Sequence, residues 1–175
     1  MPTPEAYPLV YHEPASRLEH TFILVRKAQR RLELYDGSDE GGTLIGRFAI
    51  GLGFSPEGDK VQEGDGRTPE GTYYVCSRND KSNFYLSLGL SYPSVKDAER
   101  GLADGLIDED TAQGIVQAIE NGERPTWRSA LGGEIMIHGH GSASDWTAGC
   151  IAVDDDVMDI LWQHTGKGTV VTILP

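Results

Sequence analysis

"IMIHGHGSASDWTAGCIAV", residues 135–153, sets two apolar runs on either side of a loop that holds two histidines, a tryptophan and a cysteine. The run Ile135-Met136-Ile137 reads as a strand, so His138 stands at a strand end where core packing can hold it rigid. Eleven residues separate His138 from Cys150, enough to fold the cysteine back over the histidine. Gly149 permits a sharp backbone turn just before Cys150, which can aim consecutive N–H groups at one point. A free thiol has a pKa of about 8.5, and an imidazole of about 6.5 within reach can take its proton. Acyl transfer needs that pairing together with N–H donors for an oxyanion. Two other readings stay open. The stretch can be a tight loop that merely contains a thiol. Or His138, His140 and Cys150 can ligate zinc, with Asp145 the one nearby fourth ligand.

Outward from this loop the chain reads as mainly β with a few helices. Phe22-Ile23-Leu24-Val25 and the alternating Leu32-Glu33-Leu34-Tyr35 are strands, the second half-buried. Further strands are expected over 44–50, 72–76, 84–88 and 169–174. Asp154-Asp155-Asp156 open a last helix that runs to about His164, with acids at its positive end. Between Tyr92 and Trp127 the character turns helical. Ser94 caps a helix carrying Ala98, Leu102 and Leu106; Asp108 caps another carrying Ala112, Ile115, Val116 and Ile119, stopped by Asn121-Gly122. This pair is a helical insertion at about 92–127. Residues 1–19, with four prolines, read as an N-terminal arm before a domain over 20–175.

Composition narrows the function. With 175 residues and 38% hydrophobic content the chain suits one domain with an ample core, and 22 glycines favour turns and short strands. A net charge of −12 excludes a nucleic-acid partner, since phosphate is repelled and no basic stripe offsets it. Two cysteines do not make a disulfide framework, and Cys76 sits in a strand-like run as a small hydrophobe. No apolar stretch approaches the length of a membrane span. The start lacks a signal peptide, so the protein is either cytoplasmic or an envelope protein (periplasm or cell wall) whose leader was removed.

The quoted segment resembles the active-site segment of the L,D-transpeptidase catalytic (YkuD-type) family. That segment pairs a His-Gly after a strand, here His138-Gly139, with a Ser/Thr-x-Gly-Cys and an apolar residue, here Thr147-Ala148-Gly149-Cys150-Ile151. Thr68-Pro69-Glu70-Gly71, leading into a strand, resembles a second block of the family. The resemblance implies a β-sandwich or barrel domain and acyl transfer on peptidoglycan stem peptides through a Cys150 thioester. It implies Cys150 as nucleophile, His138 as base, the Gly139 carbonyl as orienter, and Ala148, Gly149 and Cys150 N–H groups as oxyanion hole. It implies no metal or cofactor, and reactivity toward carbapenem-type inhibitors. Some relatives hydrolyse instead, as carboxypeptidases, endopeptidases or amidases, and a non-catalytic peptidoglycan-binding module is a further alternative. Ala148 and Ala152 stand where the family carries His and Arg, which leaves donor and acceptor identity open. Arg67, Trp146, His140, Tyr92 and Trp127 are candidate substrate contacts, each with a plain packing, solvated or ion-pair role as its rival. If His138 activates Cys150, thiol alkylation plateaus well below pH 8.5 and His138→Ala pushes the profile upward.

Overall fold

The computed structural model describes residues 9–175, so the first eight residues of the expected arm lie outside the described residues. Among the described residues nine strands form one curled sheet. They are β1 (Val10–Tyr11), β2 (Thr21–Arg26), β3 (Arg31–Asp36), β4 (Thr43–Ala49), β5 (Gly71–Ser82), β6 (Tyr85–Leu90), β7 (Met136–His138), β8 (Ile151–Ala152) and β9 (Val170–Leu174). Their order is β1-β4-β3-β2-β9-β5-β6-β7-β8. The pairs β2–β9 and β7–β8 are parallel and the rest antiparallel. The helices are α1 (Val95–Ala103), α2 (Glu109–Glu120) and α3 (Asp155–His164). The mainly β class with a helical insertion is the observed one.

The central strands read as continuous apolar runs because both faces are covered. Ile23 and Val25 of β2 enter the main core, while Phe22 and Leu24 pack with Tyr35 on the other face. α3 adds Val157, Met158 and Leu161 to the main core. Glu33 departs from the half-buried reading of β3. It is buried, and its carboxylate takes Arg26 at 2.7 Å and Arg47 at 3.3 Å, which offsets the loss of water.

Three expectations shift. Val10–Tyr11, within the expected arm, pairs with Arg47 and Gly46 of β4 as an edge strand. β5 runs on to Ser82, because its polar second half is held by pairing with β6 rather than by burial. In α1 the buried face is Asp97, Ala98 and Gly101, whereas Leu102 is 41% exposed and Leu106 lies past the helix end. Gly101 lets Leu131 close on α1, and Leu131 with Ala98, Ile107, Ala112 and Ile115 makes a small separate core under the insert. The caps follow the sequence. Asp97 accepts from the Ser94 N–H at 2.9 Å, Asp108 accepts from the Thr111 N–H at 2.8 Å, and Gly122 turns α2 off at φ 69°.

The curl brings the chain after β4 against β8. Gly51 and Ala152 exchange both backbone bonds at 2.9 Å, and the Phe54 N–H donates to Thr147 O at 2.9 Å. A Cβ on Gly53 would stand 2.1 Å from Gly66 O and 3.0 Å from Gly149 Cα, so only glycine lets three segments meet. The loop 139–150 sits at this seam.

Candidate active site

His138 ends β7 and is 2% exposed. Its Nδ1 lies 2.8 Å from the Gly139 carbonyl oxygen. A carbonyl can only accept, so Nδ1 carries the proton and Nε2 is the free basic nitrogen of the neutral ring. Phe84 stacks on the imidazole at 4.4 Å between centroids and 24° between planes, and Trp146 meets it edge-on at 5.5 Å. Burial among these rings, the largest cause, lowers the His138 pKa; the Gly139 bond works the other way. The imidazole is therefore a neutral base held in one orientation.

Cys150 is placed by the glycine before it. Gly149 has φ +138°, and a Cβ there would lie 2.8 Å from Arg67 O and 3.1 Å from Ile135 Cδ1. Gly149→Ala should cost about 2–3 kcal/mol from backbone strain alone. A lowered melting temperature together with lost thiol reactivity in the refolded protein checks this. The β7–β8 register sets His138 opposite Ala152 and Ile137 opposite Ile151, so Cys150 arrives at the level of Met136. Its Sγ accepts the Met136 N–H at 3.4 Å and donates to the Glu134 carbonyl at 3.3 Å. In backbone register Cys150 therefore stands beside β7 two residues before His138, about 7 Å of rise between the two levels. Among the described residues no hydrogen bond joins them. Cys150 keeps some surface open, yet the protein crowds the sulfur, and burial pushes the thiol up to about 11. The Glu134 charge adds to that rise, while Met136 and the cation of Lys60 oppose it. The resting thiol is therefore protonated, because the sulfur is desolvated and its proton goes to Glu134 O.

Of the three expected oxyanion donors, Gly149 is spent, since its N–H goes to Thr147 Oγ1 at 3.1 Å. Thr147 in turn donates to Cys150 O at 2.7 Å and braces the turn. The N–H groups of Ala148 and Cys150 have no protein acceptor among the described residues. They are the open pair.

The other candidates separate. Trp146, 40% exposed, fixes its Nε1 on Gly141 O at 3.0 Å and walls a hollow of about 370 Å³ with Phe84, His140 and Ser144. His140 lines the same hollow, but its N–H and Nε2 are taken by Asp155 Oδ1 at 2.9 Å and Asn83 O at 2.8 Å. Arg67 forms no ion pair among the described residues; its Nη1 reaches only Asp59 O at 3.4 Å, and it lines a second hollow with Ser55 and Glu57. Tyr92 is a correction. It is fully buried and donates to Leu131 O at 2.7 Å, so it braces the insert and lines no groove. Trp127 is half-buried under the Arg124 guanidinium at 4.7 Å and packs against Gly133, far more a clasp of the insert than a substrate wall. The zinc set does not converge. Asp145 is held by Arg30 at 2.8 Å and by the Leu52 N–H at 2.9 Å, and no three potential ligands gather among the described residues.

Phe84 and Glu134 were not foreseen. Phe84 sits in the β5–β6 turn, 39% exposed, with nothing in its neighbours to mark it. Glu134 contributes a backbone carbonyl, which no side-chain pattern reveals.

A family model described as the L,D-transpeptidase catalytic domain (YkuD) matches residues 20–173. No curated protein matches the chain. Among solved structures, a variant of the helical cell shape determining protein Pgp2 from Campylobacter jejuni aligns with TM-score 0.60 and 21% identity, over 94% of this chain and 48% of that one. Bd1075 of Bdellovibrio bacteriovorus aligns with TM-score 0.57 and 21% identity, over 95% and 54%. An L,D-transpeptidase from Xylanimonas cellulosilytica gives 0.51 and 15%, over 94% and 65%. These likenesses are of fold, and the chain spans about half the length of the first two proteins.

Proposed function

Because this chain belongs to the L,D-transpeptidase catalytic domain family, we propose that it transfers acyl groups of peptidoglycan stem peptides through a thioester on Cys150. The reading is carried by the Nδ1–Gly139 bond, which leaves Nε2 of a buried neutral imidazole as the base two residues along β7 from the thiol. Rotation about the Cys150 Cα–Cβ bond exchanges Glu134 O for His138 Nε2 as the acceptor of the thiol proton. As Sγ attacks the donor carbonyl, that proton passes to Nε2, and the tetrahedral oxyanion takes the N–H groups of Ala148 and Cys150. Collapse breaks the peptide bond to the D-residue, whose amine leaves with the proton from Nε2. An acceptor amine then attacks the thioester, gives its proton to Nε2 and releases Sγ, which regains the proton. Water in place of the amine gives hydrolysis. The exposed Glu134 carboxylate, whose charge reaches the thiol, favours an acceptor that arrives as an ammonium and loses one proton to solvent before it attacks as the amine, hence transfer.

A carbapenem-type β-lactam should acylate the same sulfur. A peptidoglycan substrate places this work in the cell envelope; among the described residues no helix is long and apolar enough to cross a membrane. Incubation with purified muropeptides tests the reading. Cross-linked dimers mean transfer and shortened monomers mean hydrolysis. No product from folded protein contradicts it.

The pH profile carries a second expectation. His138 must be neutral to act, and its pKa is lowered from the ordinary 6.5, so acylation should hold as pH falls to 6.5 and drop only below it. Iodoacetamide alkylation of Cys150 should instead be slow at pH 7 and climb toward pH 11, following the thiol. Coincident profiles for the two reactions would count against a proton passed only in the reacting complex.

A further inference from the structure

A second site lies at the far end of α3. That helix begins at Asp155, whose carboxylate holds the His140 N–H, and ends at His164. Ten residues at 1.5 Å each set the two ends about 15 Å apart. Around His164 opens a hollow of about 650 Å³, built from the segment before β2, the turn after β3 and the α3–β9 turn. His164 is 2% exposed. Its Nδ1 accepts the Leu18 N–H at 3.1 Å, so its proton sits on Nε2. That Nε2–H has no protein acceptor among the described residues and is not sealed from solvent, so it opens on the hollow His164 lines.

Arg17 and Lys167 stand at the same hollow, both exposed and neither in an ion pair among the described residues. Glu19 is the one carboxylate among the lining side chains. Arg78 lies close by, stacked on Trp162 at 3.9 Å and donating to Trp162 O, with its Nε buried and unpartnered. After burial, the charge of Arg17 is the further cause that holds both His164 and Arg78 below their ordinary pKa values. These groups also face the negative end of α3, which accounts for one positive charge there but not for the cluster. In a chain of net charge −12, these cations gather here with Glu19 as the single lining carboxylate.

We propose that this hollow binds a small oxyanion, a phosphate or a carboxylate group, on Arg17, Lys167 and His164 Nε2–H. The site is independent of acyl transfer, so Cys150→Ala should bind the anion as the wild type does. The test follows the His164 imidazole and the Gly166 and Gly168 amides by NMR, titrating inorganic phosphate and, separately, glutarate at constant ionic strength. Saturable shifts confined to these groups are expected, weakened at least tenfold in Arg17→Gln/Lys167→Gln and unchanged in the distant surface variant Lys81→Gln. The anion that saturates at the lower concentration identifies the ligand class. Both substituted side chains are exposed, and the amide spectrum of the double variant reports its fold directly. Shifts that do not saturate, or that survive undiminished in the double variant, overturn the site.

Discussion

Cys150→Ala should abolish turnover of stem peptides, by on the order of 10⁵-fold or more, while the protein still folds. Removing a nucleophile removes the covalent route entirely, and what survives is the small acceleration from binding and oxyanion donors. The structural loss is slight: two long contacts, to Met136 N–H and Glu134 O, and one sulfur beside a turn braced independently by Thr147. The change in stability should stay near 1 kcal/mol. Cys76 serves as the internal control. It is a free cysteine in β5, with its thiol pushed up by burial, and Cys76→Ala should leave turnover intact. Muropeptide turnover and thermal unfolding, measured on both variants, check the pair of expectations.

His138→Gln should lower the acylation rate by about 10²–10⁴-fold, the ordinary range for loss of a general base. Glutamine keeps a polar end that can reach the Gly139 carbonyl but has no basic nitrogen, so Phe84 and Trp146 retain a side chain to pack on. The effect should fall on the chemical step rather than on binding, lowering kcat and kcat/KM together. It should also remove the fall in rate below pH 6.5, because no imidazole remains to be protonated. Alkylation of Cys150 by iodoacetamide should change little. The resting thiol already gives its proton to Glu134 O, so its own ionisation does not depend on the imidazole. A pre-formed ion pair predicts the reverse, a large loss of alkylation at neutral pH.

Much of this arrangement is legible in the sequence where local chemistry dictates it. Ser94, Asp108 and Gly122 bound their helices because caps and stops act within a few residues. The Gly149-Cys150 turn is readable because a positive φ with no room for a Cβ demands glycine. What could not be read depends on distant partners. Tyr92 reads as a groove residue by its place beside the insert, yet the fold closes Leu131 over it. Gly149 reads as an oxyanion donor until Thr147 claims its N–H. The clamp on His138 comes from Phe84, 54 residues earlier, brought in only when β6 pairs with β7 at Ser87 and His138. The thiol's state is not legible in the sequence for the same reason. Spacing supplied a base for Cys150, but the crowding that keeps its proton in place arises from tertiary packing.

The central claim, that acyl groups pass through the Cys150 sulfur, is met most directly by mass spectrometry of the intact protein quenched in acid during turnover of a stem tetrapeptide. The account predicts a tripeptidyl adduct, released by hydroxylamine, that maps to the peptide containing Cys150 and vanishes in Cys150→Ala. An adduct on Cys76, or full turnover with Cys150 replaced, would contradict it.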